Sequence, residues 1–103
     1  NHVNDGKLSL NQLINLVCEN PIEIFGIKNK GFIKEGYDAD FTIVDMNKNI
    51  KIKNINIESK CGWSPFDGFT FKGSPVATII NGKIKMLNGK ILGKPEGLPL
   101  DFN

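Results

Sequence analysis

Three aspartates around one short apolar run are the residues of this sequence most able to do chemistry. Asp38 and Asp40 precede the run, and Asp45 follows it. Carboxylates that lie close together can bind a divalent cation or can divide acid and base roles between them. Aspartates at turns and strand ends also bond nearby backbone amides, which is a purely structural use of the same side chain. We expect the structural use, because the run between these aspartates is typical of a strand.

The other reactive side chains are few and far apart in the sequence. His2 is the only histidine, so this chain alone cannot supply a cluster of imidazole ligands for zinc. Cys18 falls beside an apolar helical stripe, where a cysteine is typically a small buried filler. Cys61 has no base or cation close in sequence that would activate its thiol. We therefore predict no catalytic, cofactor-binding or metal-ligating residue in this chain.

The composition argues against several other classes of function. All 13 basic residues are lysines and the net charge is only +2, so the arginine forks that grip phosphate are missing and we expect no nucleic-acid partner. Two widely spaced cysteines form neither a disulfide framework nor a metal knuckle, which favours a reducing, cytoplasmic location. No apolar stretch approaches the length of a membrane span, so we expect no membrane partner. The sequence begins with Asn1 rather than Met, and we expect it to be a piece of a longer protein.

Helical signals occupy the first quarter of the chain. Ser9 and Gln12 have the spacing of a capping box. An apolar stripe with helical spacing follows, formed by Leu10, Leu13, Ile14 and Val17. Asn20-Pro21 predicts the end of this first helix and the start of a second, single-turn helix. Gly26 is placed to end that second helix.

Two glycines and the strand after them mark a change from helical to extended structure. Gly31 and Gly36 suit turns with positive φ, and Phe32-Ile33-Lys34 between them predicts a short extended piece that pairs with the next strand. Phe41–Val44 is aromatic and β-branched, which predicts a strand that is buried on both faces. The two glycines lack the Gly-Lys-Ser/Thr ending of a phosphate-binding loop, so no such loop is predicted.

The middle of the chain predicts an exposed strand and then a folded loop. Residues 50–52 alternate apolar and basic side chains, and the phase of this alternation slips at Asn54. Residues 61–68 contain a proline and two glycines, which excludes a regular strand. The rings of Trp63 and Phe66 could line a ligand site, but we expect them to pin this loop as an aromatic plug.

Two Asn-Gly pairs predict a three-stranded meander near the end of the chain. Asn81-Gly82 and Asn88-Gly89 each lie between apolar runs, which is the strongest short-range signal for a hairpin. Two-residue turns would pair Ile79 with Ile84, Ala77 with Met86, and Met86 with Ile91. The tail from Gly93 to Asn103 carries two prolines, and we expect it to drape irregularly over a surface.

The order of these features resembles the C-terminal end of an enzyme of the amidohydrolase superfamily, in the dihydroorotase, hydantoinase and allantoinase group. Asn20–Gly26 is similar to the family's turn after the last barrel helix, although Ile22-Glu23 departs from the usual alanine. Lys30–Asp40 is similar to the step at which the chain leaves the barrel for a β-sandwich. Within the group, Ser64–Gly68 and Thr78–Lys83 look most like the bacterial dihydroorotases.

The resemblance implies an α+β fragment: a helical lead-in from the end of a (β/α)8 barrel, followed by mostly antiparallel strands of a small β-sandwich. Residues 1–29 would be the last helices of the barrel, residues 30–92 the sandwich strands and residues 93–103 an irregular tail. In this family an N-terminal segment normally pairs with such strands. We therefore expect the chain by itself to show an unpaired sheet edge and exposed isoleucine and leucine side chains.

The resemblance also implies a parent enzyme that uses zinc to interconvert N-carbamoyl-L-aspartate and L-dihydroorotate in pyrimidine biosynthesis. Zinc would activate a bridging hydroxide while an aspartate moves the proton. The strands that carry these groups precede Asn1, so this chain is expected to bind no zinc and to act as scaffold. Its expected partners are the N-terminal remainder of the parent chain and further copies of itself.

Three alternatives remain open at the level of the sequence. The parent could be a hydantoinase or an allantoinase. It could also be a dihydroorotase-like paralogue without metal ligands that serves as a structural partner of aspartate transcarbamoylase. The third alternative is a free-standing β binding module, which would require a self-sufficient core.

Overall fold

The computed structural model describes residues 1–103 as a helical segment, an irregular linker and a four-stranded antiparallel sheet. The helical segment consists of α1 (Leu10–Ile14), a π-helical turn (Asn15–Glu19) and α2 (Asn20–Phe25). The strands are β1 (Phe41–Lys51), β2 (Thr70–Ile80), β3 (Lys83–Leu87) and β4 (Lys90–Ile91), with a 3-10 turn at Asn54–Asn56 before β2. The strands lie side by side in sequence order, β1-β2-β3-β4. None of the helices has the length and apolar character that crossing a bilayer requires.

The predicted capping box begins the helical segment. The Gln12 N–H donates to Ser9 Oγ at 3.1 Å, and the Ser9 N–H donates to Gln12 Oε1 at 2.8 Å. These two bonds satisfy backbone donors that the first turn of a helix leaves without partners. Gly26 ends α2 in the left-handed conformation with φ of +62°, as its position predicted.

The predicted break at Asn20-Pro21 is wrong, because the chain stays helical through this dipeptide. A proline inside a helix has no N–H and crowds the carbonyl four residues before it. The π-helical turn absorbs this conflict, since the Asn20 N–H bonds to the Asn15 carbonyl five residues back. Pro21 then lies in the first turn of α2, where a missing N–H costs little.

The linker between α2 and β1 lacks the short strand that the sequence predicted. Phe32-Ile33-Lys34 does not pair with any strand of the sheet. Gly31 and Gly36 both have φ of +85°, which confirms the predicted positive-φ turns. Because a turn of this kind redirects the chain at each end of the apolar triplet, the triplet cannot run alongside β1.

β1 is longer and less buried than the predicted strand. It pairs with β2 from Phe41 opposite Ile79 to Lys51 opposite Thr70, and the register is interrupted between Asp45 and Asn49. The predicted burial on both faces is wrong for this chain, since Ile43 and Val44 point to opposite faces and are 50% and 48% exposed. No second layer of the described chain covers either face of β1.

Both predicted hairpins are confirmed. Asn81 and Gly82 have φ of +51° and +77°, and Asn88 and Gly89 have φ of +49° and +84°. Positive φ at both central residues defines the type I′ turn, whose twist matches that of the flanking strands. Asparagine tolerates this region better than other residues with a Cβ atom, which explains why each turn starts with it.

The register of the meander is correct at two of the three predicted pairs. Ile79 pairs with Ile84 and Met86 pairs with Ile91. Ala77 pairs with Leu87 rather than with Met86, because a bulge between Thr78 and Ile79 shifts the ladder by one residue. A one-residue shift moves the next side chain to the other face of the sheet.

The chain has almost no closed core. Only Ala77 and Ser74 are buried, while isoleucine and leucine side chains such as Ile24, Ile33 and Leu98 are largely exposed. No Cα atom of the helical segment lies within 8 Å of a strand Cα atom. The outer edge of β1 is unpaired, because β2 is its only neighbour. The expected open edge and exposed apolar side chains are therefore confirmed.

Two linker glycines with the same φ allow a matched prediction. A Cβ at Gly36 would meet nothing within 4 Å, whereas a Cβ at Gly31 would overlap Ile22 Cγ1 and lie 3.0 Å from the Cys18 carbonyl. We expect Gly36→Ala to lower the free energy of unfolding by about 1 kcal/mol through backbone strain alone. Gly31→Ala should cost at least about 2 kcal/mol more, because the helical segment must also move. Urea unfolding of the two variants of the intact protein measures this, and equal losses would contradict the close contact.

Candidate functional site

Two of the three aspartates singled out in the sequence share one lysine. Lys30 Nζ lies 2.9 Å from Asp38 Oδ2 and 2.5 Å from Asp40 Oδ2. The Asp38 N–H also donates to the Asn29 carbonyl at 2.9 Å, which closes the linker into a loop. The sequence analysis missed Lys30 as a partner. The signal for it was its position directly before Gly31, whose turn brings the chain back towards the aspartates.

The second oxygen of Asp40 connects the linker to the sheet. Asp40 Oδ1 accepts the Asn81 N–H at 2.8 Å, and the Gly82 N–H donates to the Ala39 carbonyl at 2.9 Å. Both donors belong to the type I′ turn between β2 and β3. Asp40 therefore binds a lysine of the linker with one oxygen and a turn of the meander with the other.

The ion pair keeps these groups charged over a wide pH range. The Lys30 ammonium, and after it the Asn81 N–H, holds the pKa of Asp40 below its ordinary value. Asp40, and after it Asp38, raises the pKa of Lys30. A general acid or base works best with a pKa near the operating pH, and both shifts move away from neutrality. The arrangement suits a structural link rather than proton transfer.

Asp45 and His2 take no part in this cluster. Asp45 Oδ1 accepts the Asn47 N–H at 2.9 Å, a local turn within the interrupted part of β1. His2 is exposed, and its carbonyl accepts the Lys7 N–H in the turns before α1. The three aspartates thus bond lysine or nearby backbone amides, as their structural interpretation predicted.

The two cysteines lie in different surroundings and do not form a disulfide. Cys61 is exposed, and its Sγ lies 3.1 Å from Ser59 Oγ. The hydrogen bond with Ser59 lowers the pKa of the Cys61 thiol. Cys18 is half-buried against the helical segment, in agreement with its predicted role as a filler.

The loop before β2 is pinned by an aromatic cluster, although not by both predicted rings. The ring of Phe66 packs edge-on against Phe69 and Phe71, with centroids 5.9 Å apart in each pair. Trp63 is 59% exposed and stacks on no other ring, so the prediction that it helps to pin the loop is wrong. Asp67 Oδ1 accepts the Asn54 N–H at 2.8 Å and closes the base of the loop instead.

An open apolar groove separates the helical segment from β1. Its volume is about 470 Å³. One wall is formed by Leu10, Leu13, Ile14, Val17 and Cys18, and the other by Thr42, Val44 and Met46. The predicted helical stripe therefore faces this groove. We call it the apolar groove, and its walls are the largest nearly continuous apolar surface that the helical segment and β1 share.

The described residues do not offer a zinc site. No three His, Cys, Asp or Glu side chains come close enough together to hold a metal ion. Protein zinc sites use three or four such ligands. Asp38 and Asp40 are bound to the Lys30 ammonium, and a cation would have to displace it. The chemistry of this chain is that of a folded scaffold with an apolar face.

Comparison with protein families defines the class of this protein. The amidohydrolase family matches residues 1–85, and the chain belongs to this family. Among curated relatives, the dihydroorotase of Pyrococcus furiosus is 47% identical over 95 residues, which is 92% of this chain and 23% of that protein. The dihydroorotase of Methanothermobacter thermautotrophicus is 40% identical over 98% of this chain and 24% of that protein. The L-hydantoinase of Paenarthrobacter aurescens is 39% identical over 89% of this chain and 20% of that protein.

Solved structures show the same likeness in three dimensions. The chain superposes on L-hydantoinase from Arthrobacter aurescens with a TM-score of 0.84 at 36% identity, over 89% of this chain and 21% of that one. The resemblance to the dihydroorotase and hydantoinase group is therefore confirmed. The chain spans less than a quarter of the length of each of these relatives.

The Lys30–Asp40 pair predicts a change in acid stability. A carboxylate whose pKa is depressed by folding contributes stability above its unfolded pKa of about 3.9, and this contribution is lost as the pH falls through the folded pKa. Asp40→Asn should therefore lower the free energy of unfolding by about 1 kcal/mol at pH 7 and have a smaller effect near pH 2. Urea unfolding at both pH values measures the difference.

Asp38→Asn is the matched control for this prediction. Asp38 binds the same lysine but is more exposed, at 43% against 31% for the side chain of Asp40, and it does not hold the Asn81 turn. Its substitution should cost less at pH 7. Equal losses for the two variants at both pH values would show that the bond to the turn contributes nothing.

Proposed function

We propose that residues 1–103 form the C-terminal, non-catalytic part of a zinc-dependent cyclic amidohydrolase, most closely a dihydroorotase. The observation that carries this proposal is the match of nearly the whole chain to less than a quarter of each dihydroorotase. The intact protein would interconvert N-carbamoyl-L-aspartate and L-dihydroorotate in the cytoplasm. Its zinc ligands would come from the remaining three-quarters of the protein.

The division of labour within the chain follows from this proposal. Residues 1–29 would close the catalytic barrel, residues 30–92 would complete a β-sandwich and residues 93–103 would be a tail. The open apolar groove and the unpaired edge of β1 support the proposal, because both are surfaces that the rest of the protein would cover. Exposed apolar faces of this kind favour association, and exposed strand edges favour pairing.

A hydantoinase is the second candidate, and a specific observation favours it. L-hydantoinase from Arthrobacter aurescens superposes on nine-tenths of the chain with a TM-score of 0.84. A third candidate is a dihydroorotase-like protein without metal ligands that supports aspartate transcarbamoylase. An upstream His-x-His pair, which supplies zinc ligands, would separate the two active candidates from the inactive one.

The substrate test requires the intact natural protein. We expect its kcat/KM for L-dihydroorotate to exceed that for hydantoin by at least about tenfold, because a site built for the substrate's carboxylate loses binding when that group is absent. Steady-state assays with both substrates, with and without a zinc chelator, decide this. A preference for hydantoin would support the second candidate, and no turnover of either would support the third.

The isolated 103-residue polypeptide should behave differently from the intact protein. We expect it to bind no stoichiometric zinc and to turn over no dihydroorotate, since it offers no ligand set. We also expect dimers or larger species at micromolar concentration, formed through the edge of β1 or the apolar groove. Metal analysis and sedimentation velocity measure both properties, with the intact protein as the control. A zinc-free but monomeric, cooperatively unfolding chain would favour a self-sufficient module.

A further inference from the structure

Residues 93–103, which we call the C-terminal strap, are held to the sheet at their first end. Glu96 Oε2 lies 3.0 Å from Lys83 Nζ and 2.9 Å from Lys85 Nζ. Lys85 also donates to the Lys94 carbonyl at 3.0 Å. The side chain of Lys85 is only 15% exposed, against 65% for that of Lys83, so the Lys85–Glu96 pair is the better shielded of the two.

The other end of the strap is held to the helical segment by backbone hydrogen bonds. The Lys28 N–H donates to the Asp101 carbonyl at 2.8 Å, and the Asn103 N–H donates to the Gly26 carbonyl at 2.7 Å. These two bonds form an antiparallel bridge directly after α2. Between the two ends, residues 97–100 make no hydrogen bond to the rest of the chain.

The opposite end of the helical segment is also held by polar contacts. Asn4 Nδ2 donates to the Met46 carbonyl at 3.3 Å and to the Lys72 carbonyl at 3.0 Å. The Lys72 N–H donates to Asn1 Oδ1 at 2.9 Å. These bonds lie where the pairing of β1 with β2 is interrupted, so the Asn4 amide satisfies two carbonyls at the gap.

The apolar groove lies between these two polar attachments. Its walls do not pack against each other, so apolar contact does not fix their separation. The strap can fix it, because the five residue steps from Glu96 to Asp101 span at most about 18 Å. The linker of residues 27–40 is longer, and by chain length alone it would permit a much wider separation.

We propose that the C-terminal strap, together with Asn4, sets the width of the apolar groove. The segment that fills the groove then meets two walls at a fixed spacing and does not have to bring them together. Preorganisation of this kind lowers the entropy that is lost when surfaces associate. The attachments belong to the described residues, so this role does not depend on which reaction the intact protein catalyses.

Hydrogen exchange of the intact protein tests the helical end of the strap. Asn103→Pro removes the N–H that bonds to Gly26, whereas Leu98→Pro is the matched control, because the Leu98 N–H bonds to nothing and its side chain is 74% exposed. We expect Asn103→Pro, but not Leu98→Pro, to speed exchange in α1 and in residues 41–46 by about tenfold. Faster exchange confined to residues 26–28 and 101–103 would overturn the proposal.

Charge substitution tests the sheet end of the strap without a new proline. Glu96→Lys should repel Lys83 and Lys85 and give the same remote increase in α1, whereas Glu58→Lys, at an exposed residue without an ion pair, should not. Glu96→Lys combined with Lys85→Glu should restore slow exchange. Exchange in α1 that is unchanged by Glu96→Lys, or not restored by the double substitution, would show that the ion pair does not control the groove.

Discussion

The pairing of β1 with β2 is the interaction on which the rest of this structure depends. These are the two longest strands, and Ala77 and Ser74 on β2 are the only buried residues. Each other part of the chain is attached to this ladder by polar bonds. Asp40 holds the linker to the turn after β2, Asn4 holds the first residues to the gap in the ladder, and the C-terminal strap connects β3 to the end of α2. Backbone hydrogen bonds and a few side-chain bonds do here what a packed core does in a complete domain.

The sequence predicted those parts of the fold whose cause is local. The capping box of Ser9 and the two Asn-Gly turns depend on a few adjacent residues, so their chemistry can be recognised without knowing the rest of the fold. The bulge beside Thr78 and the full length of β1 could not be predicted, because both are set by a partner strand that is distant in sequence. The helix through Pro21 was missed since a π-helical turn is a collective adjustment of several residues, with no single residue as its signal.

The polar cluster shows the same limit at the level of the site. The aspartates were found because their residue type is visible in the sequence, and their structural use was predicted from the strand beside them. Lys30 was missed, because the two turns that bring its ammonium to Asp40 act only in three dimensions. The roles of Asn4 and Glu96 were also invisible, since their partners lie far away in sequence or on another strand. The likeness to known amidohydrolases gave the class of protein, which the residues of this chain alone do not define.

The separation of β1 from its partner in the sequence has a consequence for how the chain acquires its structure. β2, β3 and β4 are joined by two-residue turns, so the meander can close within microseconds. β1 must instead close the segment 52–69 before its first pair forms, which costs more chain entropy and slows the step. We expect the ladder to start at Lys51 and Thr70, next to that segment, and to extend towards Phe41. The gap between Asp45 and Asn49 lies in the middle of this path, so the Asn4 amide can bond there only after strand pairing has passed it.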